Sequence, residues 1–328
     1  MKQLALAAGA AALLASTSVG ALAQSGSIGQ AVGGYSFDEA AQEAPGTKDF
    51  NSNDGVLTFA IVTHTAGNGF FDPVYVGATV AANMIGAKVL LLGSESPTDD
   101  PAREIEILNQ IINDPTLDGL IMMSHLGESI FRYAQTKVPY IVGIDSGYGE
   151  IDNIEYDHEQ AARMAVEYLA GKGHREIGFI GGGEGEMDMR RCRRYHSYAD
   201  TMKDLGLDIR DEWVLDCEWN DVTCTRLVAD LGRDNLPRSF FATSDLMAMA
   251  ALRALDNMRV SVPDQVAVIG LTNIEMSKYA NPPLTTINIP TEAMGEAAAR
   301  TLLSRIKGDA SLPRRILFPC EYIVRDSA

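Results

Sequence analysis

Five histidines are scattered along the chain, His64, His125, His158, His174 and His196, and none has the spacing that would bring two imidazoles to one metal ion. No G-x-S-x-G nucleophile elbow and no Walker lysine is present. The stretch GGGEGE at 181–186 is glycine-rich, but it lacks the G-x-G-x-x-G spacing and carries two acids where a phosphate would sit. Its plain reading is a strand-to-helix loop. His64 and His125 both fall at strand ends, yet no partnered acid–base constellation accompanies them. Catalysis, a cofactor and a metal site are therefore not expected. The remaining residues suit the holding of a small molecule. Trp219, in the polar stretch DCEWND, is either core or a platform for the C–H face of a sugar or another small organic ring. Phe70 and Phe71, in NGFF, stand at a similar corner. Arg190, Arg191, Arg193 and Arg194 cannot all face one way on a helix, so one is expected to reach inward, where its fork can hold hydroxyls or a carboxylate.

These residues need elements to position them. Short apolar, β-rich runs alternate with helical periods from residue 56 to the C-terminus: strand signals at 56–64, 87–93, 118–124 and 138–145, then, after about residue 153, at 175–182, 213–219, 238–245, 265–271, 284–289 and 315–327. Helical periods lie between them, for example from Asp72-Pro73, where Asp can cap and Pro suits the first turn. Repeated β-α units imply an α/β fold of doubly wound parallel sheets, with enough strands for two. Ligands of such sheets bind beyond the carboxyl ends of the strands. The informative residues are then His64 to Phe71, Ser124 and His125, Asp145 to Gly147, Gly181 to Arg194, Glu218 to Asn220, Ser244 and Asp245, and Thr272 and Asn273.

The N-terminus reads differently. Lys2 is the sole charge before Asp38, an apolar small-residue run follows, and Ala21-Leu22-Ala23 forms an A-x-A site. This is the pattern of a signal peptide over 1–23, cleaved after Ala23, and it implies export to the periplasm. Residues 24–53, rich in Gly, Ser, Ala and Gln, read as a tail. No other segment is apolar and long enough for a membrane helix. The 328 residues carry a net charge of −17, which argues against a nucleic-acid partner. Four cysteines, Cys192, Cys217, Cys224 and Cys320, permit a local Cys217–Cys224 disulfide or free buried thiols alike.

Longer motifs carry a resemblance. EYDHEQAARMAVEYLAGKGHREIGFIGG, FFATSDLMAMAALRALDNMRVSVPDQVAVIGL, NPPLTTINIPTEAMGEAAARTLLSRI and FPCEYIVRDSA resemble the ligand-binding part of the lactose/galactose-repressor family. NGFFDPVYVGATVAANMIGAKVLLLG and VPYIVGIDS look like the ribose/galactose-type periplasmic binding proteins. The resemblance implies two similar lobes, 54–152 plus 290–316 and 153–289 plus 317–328, joined by three crossovers near Asn153, Ile289 and Leu317 and closing on a ligand. It implies that Asn68, Phe70, Phe71, Asp145, Arg194 and Trp219 are pocket residues, with Asp245 the acid of an N-D pair whose asparagine is replaced by Ser244. Ser146, Thr272 and Ile289 depart from the polar residues usual in sugar binders, which points to a ligand with fewer or differently placed hydroxyls. Thr63, His64, Ser124, His125 and Asn273 are the expected replacement contacts. Because a signal peptide stands where repressors carry a helix-turn-helix, the expected function is a periplasmic binding protein that delivers a sugar, sugar derivative or polyol to an ABC importer, or else a sensor subunit for a chemoreceptor or histidine kinase.

Overall fold

Parallel strands covered on both faces must be apolar throughout, and the chain's short apolar runs build two sheets of this kind. The computed structural model describes residues 55–65, 69–94, 109, 116–123, 128–183 and 188–328. The first sheet contains β1 (Thr58–Thr65), β2 (Lys88–Ser94), β3 (Gly119–Met123), β4 (Ile141–Ile144), β5 (Asp152–Tyr156) and β11 (Arg315–Phe318). The second contains β6 (Ile177–Gly181), β7 (Val214–Asp216), β8 (Ser239–Ala242), β9 (Ala267–Thr272), β10 (Thr285–Asn288) and β12 (Glu321–Ile323). Their strand orders are β11-β5-β4-β3-β1-β2 and β12-β10-β9-β8-β6-β7. All pairings are parallel except β10 with β12, an antiparallel edge.

The helices pack on these sheets: α1 (Phe71–Met84), α2 (Glu128–Gln135), α3 (His158–Gly171), α4 (Arg193–Asp204), α5 (Asp221–Asp230), α6 (Asp245–Asn257) and α7 (Thr291–Ile306). Three of them start on side-chain caps that satisfy an orphan N–H. Asp157 accepts from the Gln160 N–H, Asn220 from Thr223 and Ser244 from Leu246. Helices α1 and α7 cross at Gly77 and Gly295, where any side chain would overlap the carbonyl of Glu292 or of Val74 respectively. Among the described residues no helix is long and apolar enough to cross a membrane.

The chain passes from one sheet to the other after Tyr156, after Asn288 and after Phe318. The expected boundaries shift accordingly. Residues 153–156 belong to the first sheet, because β5, a short polar stretch with no apolar run, pairs with β4 and β11. The stretch 315–327 is not one strand. Pro319, which has no N–H to give a ladder, separates β11 from β12, and the two lie in different sheets. The Cys217–Cys224 bridge does not form, and all four cysteines are buried free thiols. The signal peptide and tail expected over 1–53 lie outside the described residues.

Candidate functional site

Backbone strain marks the site. Among the described residues the non-glycine positions with positive φ are Asp145 (52°), Glu218 (51°), Trp219 (55°), Arg259 (57°), Thr272 (119°) and Asn273 (60°). All but Arg259 stand at the carboxyl end of a parallel strand: after β4, after β7 and at the end of β9. Such conformations cost of order 1–3 kcal/mol each and collect where binding is organised. Three buried hydroxyls without a hydrogen-bond partner stand at equivalent places, Thr63 near the end of β1, Thr243 just after β8 and Thr272 closing β9.

Asp145 anchors the first lobe's side. Its Oδ1 lies 2.5 Å from Nε2 of His158, the first residue of α3, and 3.8 Å from a guanidinium nitrogen of Arg193. Burial by itself would raise the Asp145 carboxyl, but the His158 ring and then Arg194 and Arg193 outweigh it and hold it below the usual carboxylate range. Arg194, buried on α4, donates to the Tyr156 hydroxyl at 2.7 Å and lies 3.3 Å from Nδ1 of His158. Burial pushes the Tyr156 hydroxyl up, so it stays a neutral phenol that can accept this bond. The guanidinium also sits 5.2 Å from the Trp219 ring centroid, a cation–π distance. Trp219 is 42% exposed and its Nε1–H donates to the Gly183 carbonyl at 2.5 Å. A Cβ on Gly182 would come within 2.8 Å of the indole, so Gly182 and Gly183 form the bed on which this tryptophan lies.

Below this group, Glu155 is held by Arg193 at 2.7 Å and Arg315 at 2.9 Å, and Asn153 donates to it as well. Asp145, Glu155 and His158 place donor atoms within 4.8 Å of one another, as a metal site would. Arg193, Arg194 and Arg315 already compensate those carboxylates, so the donor set is spent on guanidinium rather than offered to a cation.

The other expected pocket residues divide. Phe70 and Phe71 pack edge to face, 5.2 Å between centroids, and against the core at the start of α1. Thr272 keeps its place at the strand end with a buried, unpartnered hydroxyl. Asp245 turns to partners within the protein. It is fully buried, and its oxygens accept from the Thr286 hydroxyl at 2.5 Å and the Ile274 N–H at 2.9 Å. The Ser244 oxygen caps α6. Ser146 is buried and donates to Asn153 Oδ1. Asn273 is tied between Asn288 and Arg325. Ile289 is core. Asn68, Ser124 and His125 lie outside the described residues, and of His64 only the backbone is described. Tyr156, His158 and Thr243 were not among the expected site residues. Tyr156 and His158 flank the lobe crossing that sequence reasoning placed too early; Thr243 lies one residue before the strand-end pair it weighed.

The comparisons with known proteins agree with this architecture. Residues 166–328 match the family described as periplasmic binding protein-like domain. The structure aligns with a transcriptional regulator CelR–cellobiose complex at TM-score 0.73 and 26% identity, covering 83% of this chain and 84% of that one. The fold is that of the type I periplasmic binding proteins. Among curated proteins, the HTH-type transcriptional repressor MelR of Bacillus subtilis is 31% identical over 221 residues, 64% of this chain and 63% of its own length. The chain thus spans less than two thirds of that relative. The repressor PurR of Aliivibrio salmonicida is 27% identical over 267 residues, 79% of this chain and 77% of its own length.

These relatives are named as regulators, not as enzymes, and they overturn the transport reading. The expected ABC importer, chemoreceptor and kinase partners and the periplasmic location fall with it. The exclusion of nucleic acid is corrected on the same finding, since the relatives are HTH-type repressors. The physical reason is that a fold which holds a ligand does not record what reads its occupancy. Net charge also sums over a chain and does not exclude a DNA-contacting partner module.

Proposed function

We propose that the chain acts as a ligand-sensing transcriptional regulator, whose two lobes hold a small polar organic molecule between them. The observation that carries this reading is the convergence of strained backbone, unpartnered buried hydroxyls and the Asp145–His158–Arg194–Trp219 group on the carboxyl ends of the strands. Arg194 supplies a fixed donor, Asp145 an acceptor and Trp219 an apolar face, the combination that recognises a ring carrying hydroxyls. A sugar is the first class to test, because the CelR relative is in complex with cellobiose. A DNA site is the output partner, because MelR and PurR are named as HTH-type repressors.

The test is thermal denaturation of the whole chain against mono- and disaccharides, cellobiose included. A ligand at about a hundred times its Kd adds about 2.7 kcal/mol of stability, which reads as a rise of several degrees. Arg194→Ala should then weaken the stabilising sugar by about 10- to 100-fold, as the loss of a charged hydrogen bond implies. Trp219→Ala should weaken it comparably. Selection of DNA fragments on the chain, with and without that sugar, tests the output. Absence of any sugar-dependent shift together with no sugar-dependent DNA retention would sink the reading.

A further inference from the structure

Among the described residues, His158 touches both Asp145 and Arg194. It is the first residue of α3, it is 2% exposed, and its ring stacks on Tyr156 with centroids 3.9 Å apart and planes 26° apart. One ring nitrogen meets Asp145, which follows β4 of the first sheet. The other meets Arg194 on α4, which packs with α3 in the second lobe. The partners dictate the proton's place. A guanidinium has donors and no acceptor, so a nitrogen bonded to it must present a lone pair. A carboxylate has acceptors and no donor, so the nitrogen facing Asp145 must carry the hydrogen. The charges agree, for Asp145 and Glu155 already face three guanidinium groups, Arg193, Arg194 and Arg315. A further cation at the ring would lie against Arg194.

We propose that His158 is a positioning residue of the cleft: a neutral imidazole, protonated on Nε2, that donates to Asp145 and accepts from Arg194, and so presets an acceptor of one lobe against a donor of the other. Tyr156 serves it twice. Its ring fixes the imidazole plane, and its hydroxyl takes the second hydrogen of the same Arg194 nitrogen. Arg194 is thereby aimed before any ligand arrives, and the guanidinium remains over Trp219. Preorganisation of this kind raises affinity by reducing what must be ordered on binding. The role rests on the cleft being the ligand site, but its test needs no ligand.

The first measurement is the side-chain 15N spectrum of the histidines in the full chain at neutral pH, with His158 assigned by the loss of its signals in His158→Phe. The expected pattern is a pyrrole-type Nε2 and a pyridine-type Nδ1. An Nδ1–H tautomer or a doubly protonated ring overturns the proposal. This reading is made on the unsubstituted protein and survives a variant that folds poorly. The second measurement is acrylamide quenching of tryptophan fluorescence. Trp213 is buried, so the quenchable indole is Trp219 beneath Arg194. His158→Asn puts an amide oxygen where Nδ1 stood, so it should keep the guanidinium in place and the quenching low. His158→Gln puts its amide at the Nε2 end, toward Asp145, and a methylene where Nδ1 stood, so it should raise quenching as His158→Phe does. Equal quenching in the unsubstituted protein and all three variants would assign His158 a merely structural part. If sugars fail to bind while both readouts come out as expected, the sugar reading fails and the preset Asp145–His158–Arg194 geometry stands.

Discussion

Single side chains in the second lobe trade burial against charge. Asp245 is the clearest case. Burial raises its carboxyl to about 6, and the Thr286 hydroxyl and Ile274 N–H offset that only in part. A raised folded-state value means that the protonated form favours folding. The associated stability is present below the unfolded pKa near 3.8 and is lost as pH rises through about 6. Asp145 and Glu155, whose values are lowered, act in the opposite sense and lose stability as pH falls. The contribution of Asp245 is therefore read as a difference. Asp245→Asn, with its amide turned to donate to Thr286, should be more stable relative to the unsubstituted protein at pH 7.5 than at pH 4. The change between those conditions is at most about 3 kcal/mol, measured by urea unfolding. A difference that is flat with pH would mean that this carboxyl does not titrate in the folded chain. Trp219 depends on its neighbour in the same way. Gly182→Ala should displace the indole and weaken binding of the sugar found by denaturation screening, although position 182 carries no side chain of its own.

Among helices, the α1–α7 crossing illustrates how local propensity yields to packing. Glycine inside a helix costs about 1 kcal/mol relative to alanine, so Gly77 and Gly295 look like weak points in isolation. Their role is in the crossing. Each lets the other helix's backbone approach to where a methyl would overlap a carbonyl. Gly77→Ala and Gly295→Ala should each destabilise by about 1–3 kcal/mol despite the better helix propensity, read as a lower urea midpoint at unchanged slope. Neutral or stabilising outcomes would show that the crossing relaxes freely. The strand β5 shows the converse. DNIEY has little apolar content, yet all five of its residues are buried, because Asn153 and Glu155 are satisfied inside by Ser146, Arg193 and Arg315. Hydrophobic periodicity is blind to a strand whose inward side chains are polar and paired.

Across the whole molecule, the two lobes meet at more than the crossovers. Gly69, just ahead of α1, lies against Ile274, which follows β9 in the other sheet, and a Cβ at position 69 would stand 3.1 Å from the isoleucine. Gly69→Val should wedge this contact and lower affinity for a cleft ligand by about 10-fold or more, a cost of about 1.4 kcal/mol in closure. Thermal stability without ligand should change far less. Equal losses in both would mean that the contact belongs to folding rather than to closure. Much of this arrangement was legible in the chain. Alternating β-α runs specify parallel sheets, and the carboxyl-end rule pointed to Asp145, Arg194, Trp219 and Thr272, because strand direction and strand ends follow from short-range pattern. The tertiary structure alone decided that Asp245, Ser244, Ser146 and Asn273 turn to structural partners. It alone brought Tyr156 and His158 to the cleft and left Cys217 and Cys224 as thiols. Those outcomes depend on which groups from distant strands become neighbours, and a buried polar atom bonds whatever partner packing supplies, a choice that no local spacing encodes.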